Sequence, residues 1–130
     1  MTVTALADYE GTSGAPNIST IRVLPPVDAK RVDGGAADSG IIRSSAWLVV
    51  IRAHWNFLQP INLPVSNNHV VMASITELFP NPASGLLDLP GIGLAHMHIR
   101  SVAPQNGKVF VNGYIDWEHD LNIRISLFVA

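Results

Sequence analysis

"LAHMHIRSVAPQNGKVFVNGYIDW", residues 94–117, decides the fold. Residues alternate in character on both sides of Asn106-Gly107. Met97 and Ile99 fall on one face with Ser101, while His96, His98 and Arg100 fall on the other; beyond the Asn-Gly pair, Val111, Ile115 and Trp117 alternate with Phe110, Asn112, Tyr114 and Asp116. An Asn-Gly pair between two period-two runs is the strongest short-range signal for a β-hairpin, because the turn needs backbone conformations that these residues adopt cheaply. Strands are therefore expected at about 94–103 and 108–117. A third follows at 121–129 after the turn "EHD" (118–120), and it runs far enough to tie Ala130 into a sheet.

Toward the N-terminus the pattern continues more loosely. "HVVMASITELF" (69–79) reads as a strand, with a short helix as the alternative, and "IIRSSAWLVVIRAHWNF" (41–57) as one long strand rich in β-branched and aromatic residues. "QPINLPVSNN" (59–68) and "PNPASGLLDLPGIG" (80–93) read as loops, because proline cannot donate to a ladder and glycine and asparagine favour turns. In "STIRVLPPV" (19–27) Pro25 and Pro26 end a short strand, and "VDGGAADSG" (32–40) is a loop. The chain thus divides into an extended arm and loop, 1–40, and a β-domain, 41–130. Short strands joined by Pro/Gly loops predict an all-β fold, an antiparallel β-sandwich or jelly-roll-like small barrel with an extended N-terminal arm.

Composition narrows the function classes. At 130 residues one domain is expected. The apolar fraction is 48% but the charged fraction only 14%, against roughly 25% charged in an average domain. So few ionic groups leave apolar surface uncovered, which predicts a homo-oligomer. A net charge of −2 and arginines scattered from Arg22 to Arg124 give no field for phosphates, so nucleic acid is not an expected partner. The chain has no cysteine, which removes thiolate chemistry. The first residues lack a signal-peptide pattern, and "AWLVVI" (46–51) is far short of the roughly 20 residues of a spanning helix. These features predict a soluble or peripheral chain, cytoplasmic or particle-associated, with no membrane span.

Three clusters are candidate sites. His96 and His98 share a face, and two imidazoles at i and i+2 on a strand can chelate a divalent metal. The spacing resembles the HxH that metal-binding cupins carry on a barrel strand. That pattern also asks for a glutamate soon after, whereas "HIRSVAPQNG" holds no acid and Arg100 repels a cation. In "YIDWEHDLNIR" (114–124), Asp116, Glu118, His119 and Asp120 surround Trp117. Hairpin pairing that sets this face beside His96 and His98 would give a metal or acid–base set of His96, His98, Glu118 and His119. In "RAHWNF" (52–57), Arg52 and His54 alternate with Trp55, so Arg52, His54, Trp55 and Trp117 are the candidates for lining a ligand pocket. Each set has an ordinary structural counterpart as a wet strand face, a charged turn or a core and interface aromatic.

No phosphate loop, nucleophile elbow, calcium loop or zinc-finger spacing occurs. The leading expectation is a non-enzymatic structural or interaction subunit without a cofactor. It would build a homo-oligomeric particle of phage, tail, filament or similar kind, with a protein partner as a further option. The alternative is a small β-barrel enzyme or ligand-binding protein that uses the His/carboxylate cluster, with a divalent metal if metal-dependent.

Overall fold

Two five-stranded sheets enclose one apolar interior. The computed structural model describes residues 20–32 and 44–130. In chain order the strands are β1 (Arg22–Val23), β2 (Val27–Asp28), β3 (Lys30–Arg31), β4 (Ser45–Ala53), β5 (Trp55–Asn62), β6 (Val71–Pro80), β7 (Leu87–Gly91), β8 (His96–Gln105), β9 (Lys108–Asp116) and β10 (Leu121–Val129). The first sheet runs β1-β5-β9-β8, with β2 also on β5; the second runs β3-β4-β10-β6-β7. The long strands pair antiparallel, and β6 and β8 approach each other so that the sandwich curls toward a half-barrel. Among the described residues the architecture is all-β, and no helix is long and apolar enough to cross a membrane.

Alternation builds the interior. Odd-numbered positions point inward from four strands: Val49, Ile51 and Ala53; Phe57, Gln59 and Ile61; Val109, Val111 and Ile115; Ile123, Ile125, Leu127 and Val129, all buried. The expected single strand over 41–57 is instead two strands, broken at His54. The chain leaves the second sheet at Ala53 and enters the first at Trp55, and Trp55 turns this corner with φ of +55°. A bulky residue in the left-handed region costs roughly 1–2 kcal/mol.

Two expected loops contain strands. β5 continues to Asn62 through Pro60, because its neighbour is interrupted at that level: β1 pairs with Phe57 and Leu58, and β2 resumes at Ile61. Pro25 and Pro26 fill the gap. The buried Gln59 amide donates to the carbonyls of Pro25 and Pro60, both at 2.8 Å, and so satisfies two acceptors the ladder leaves open. β7 lies within the expected loop 80–93, where "LDLPG" forms an outermost strand against β6.

The C-terminal meander matches its expected strands closely, and Ala130 exchanges backbone hydrogen bonds with Val70 at 3.0 and 2.9 Å. One detail departs from simple alternation. A bulge at Arg100 shifts the register between Ile99 and Ser101, so Ser101 joins the outer face opposite Asn112 while Val102 turns inward opposite Val111.

Residues 20–32 lace both sheets of their own domain, through β1 and β2 on β5 and β3 on β4. Residues 1–19 and 33–43, which include much of the expected arm and its boundary near 40, lie outside the described residues.

Gly113 is required by close packing. It stands opposite Phe57, whose fully buried ring covers it, and a Cβ there would sit 2.5 Å from Phe57 Cζ. Gly113→Ala should therefore cost about 1–3 kcal/mol of folding stability, the usual range for overpacking. Denaturant unfolding checks this, and an unchanged midpoint would mean the ring is not held over the glycine.

Candidate functional site

The corner between β4 and β5 meets the turn between β9 and β10 at one end of the sandwich. Asp120, the last residue of that turn, joins three distant segments. Arg22 of β1 donates from a guanidinium nitrogen to Asp120 Oδ1 at 2.9 Å, and His54 Nδ1 bonds the same oxygen at 2.5 Å. A carboxylate only accepts, so the His54 proton is fixed on Nδ1. Burial pushes the Asp120 carboxyl up, but the hydrogen bonds from His54 and Arg22, with their charges, more than offset it and hold its pKa below the ordinary value.

Beside this clamp opens a cleft of about 480 Å³, lined by Trp55, Asp116, Trp117, Glu118 and His119. Trp55 leans against the His54 and Tyr114 rings, with centroids 6.2 and 6.3 Å away, and Trp117 is 38% exposed at the turn. Among the described residues no hydrogen bond or ion pair engages the side chains of Asp116, Glu118 or His119.

The sequence-derived candidates are thus partly gathered. Trp55 and Trp117 line one cleft with Glu118 and His119, and His54 supports Trp55 from the clamp. Arg52 is exposed on β4 opposite Asn122 and is not among the lining residues. His96 and His98 stand on the outer face of the first sheet, paired in register with Asp116 and Tyr114; the His98 and Tyr114 rings are 5.6 Å apart. Tyr114 is shifted upward by burial first and by Asp116, with Arg100 pulling the other way. Hairpin pairing does set His96 beside Asp116, yet among the described residues no three His, Asp or Glu side chains gather in a way that could hold a metal ion.

Arg22, Asp116 and Asp120 are the participants that the candidate sets omit. Arg22 lies 98 residues from Asp120 in a segment with no local motif, so only the folded chain reveals the contact. Asp116 was one of several acids at a turn, and its place in the cleft depends on the corner at Trp55. The His54–Asp120 pair has the orienting half of an acid–base arrangement. Among the described residues no hydroxyl hydrogen-bonds to the other ring nitrogen.

Comparison with known proteins adds no relative: no family model matches the chain, and neither the curated proteins nor the solved structures give a match.

Because its folded pKa is depressed, Asp120 contributes stability that is present above the unfolded carboxyl pKa near 4 and lost as pH falls through the folded value. Asp120 is about one-third exposed, so Asp120→Asn should cost only about 1 kcal/mol at neutral pH. That difference should shrink as the pH drops below about 4, as measured by unfolding of both proteins across the acid range. A difference constant with pH would remove the charge from the account.

Proposed function

We propose that this protein is a structural subunit that associates with copies of itself through the β7 side of its second sheet. The observation that carries the reading is a concentration of uncovered aliphatic side chains between residues 86 and 94. Leu86 is 64% exposed, Leu87 46%, Leu89 44%, Ile92 102% and Leu94 88%. Five uncovered aliphatic residues within nine positions are more than scattered single exposures, and such a concentration marks an interaction surface.

The two sheets differ outside as well. The first carries Asn112, Tyr114, Asp116, His96 and His98 on its outer face. The second exposes Val50, Met72 and Phe128, the last two paired across β6 and β10. Met72 and Phe128 lie at the end of β6 away from β7, so the rim beside β7 is the surface on which the reading rests. Repulsion between copies carrying a net charge of −2 is weak.

Packing of side chains fits this region better than strand addition. β7 is an outermost strand, but Pro90 lacks the N–H a ladder needs, and Asp88 is held by Ser84 Oγ, which donates to its two carboxyl oxygens at 2.9 and 3.0 Å. A second copy is the occupant that offers matching aliphatic surface at equal concentration, as in a two-fold interface. Residues 20–32 pair within their own domain, so the arm is not needed to bridge subunits in this reading.

Sedimentation velocity over a range of concentrations tests the proposal. The protein should sediment as a multiple of 14.0 kDa, and the double variant Ile92→Lys/Leu94→Lys, altered only at exposed positions, should fall to a smaller species with unchanged folding stability. A wild-type protein that stays monomeric, or a variant that assembles as before, would contradict it.

A further inference from the structure

The clamp and the cleft treat neighbouring acids in opposite ways. Asp120 receives both an arginine and a histidine, whereas Asp116 at the end of β9 and Glu118 on the turn, both lining the cleft, receive no cation from the described residues. Their cleft has two indole walls, from Trp55 and Trp117. An anion is disfavoured there by two carboxylates, and a purely aliphatic ligand would leave them without a counter-charge. A compact organic cation satisfies both wall types, because the negative faces of the indoles and the carboxylates attract the same charge. The volume of about 480 Å³ lies within the range of small-ligand sites and exceeds what a single such headgroup fills.

We propose that the cleft between Trp55 and Trp117 binds an alkylated ammonium group, with the indoles packing on its methyls and Asp116 and Glu118 supplying the counter-charge. The group can belong to a free small molecule or to a methylated lysine side chain, since both present the same headgroup. His119 also lines the cleft and can hydrogen-bond to whatever the headgroup is attached to. The site goes beyond self-association, and its readout is local to the indoles.

The chain has three tryptophans, so three indole N–H resonances report the site by NMR. Choline should shift the Trp55 and Trp117 resonances, identified with Trp117→Phe, and leave Trp47, whose indole donates to Ser45 Oγ at 2.8 Å, in place. Its affinity should exceed that of the uncharged isostere 3,3-dimethylbutan-1-ol by about tenfold or more, weaken with added salt, and drop several-fold in Glu118→Gln, an exposed turn position that should fold normally. A trimethyllysine dipeptide that binds more tightly than choline would identify a peptide source, and equal or weaker binding a small-molecule source. Equal response to the neutral isostere or to glucose, or no response to choline, would overturn the proposal.

Discussion

The corner at His54–Trp55 is the constraint on which the remaining structure depends. The one stretch 45–62 supplies an interior strand to each sheet, and a single residue separates them. Odd positions face inward on either side of the corner, so Ala53 and Phe57 are both fully buried in the same interior, while at the corner itself Trp55 is only partly buried and Asn56 is buried. A flat strand through this point could serve only one sheet. The left-handed backbone at Trp55 makes the change of sheet possible, and the bond from His54 to Asp120 fastens it to the turn before β10.

The candidate site follows from that placement. The corner brings Trp55 beside the β9–β10 turn, which carries Trp117 and three acids within five residues of sequence. One of those acids holds the corner shut, and the others are left facing a cleft. The opposite concern, covering the apolar surface that so few charges leave exposed, falls to the second sheet, where β7 and the segment after it stand at the rim with their aliphatic side chains uncovered. The uncovered aliphatic rim beside β7 and the cleft at the corner are built from separate stretches of the chain, and the proposed roles divide along the same line.

The sequence disclosed the fold class because period-two alternation around Asn106-Gly107 and in 121–129 is a local signal, and local pairing realised it. It concealed the corner for a physical reason: odd positions face inward on both β4 and β5, so nothing in the pattern marks the change of sheet. Pro60 argued for a loop, yet the break in the neighbouring strand at Pro25-Pro26 and the Gln59 amide make a proline tolerable there. β7 is hidden by Pro90 and Gly91, which suit a short outer strand as well as a loop. The cleft was half legible. Trp55, Trp117, Glu118 and His119 were candidates by composition, but their grouping, and the part played by Arg22, needed contacts between residues far apart in sequence.

The backbone at the corner can be tested by comparing the folding stabilities of Trp55→Gly and Trp55→Ala. Both remove the indole, so their difference reports the conformation of residue 55. With φ of +55° at that position, the glycine variant should be the more stable by about 1 kcal/mol, since alanine retains the Cβ penalty of the left-handed region. In an ordinary strand the order is reversed, and an alanine variant more stable than the glycine one would contradict the corner and the fold built around it.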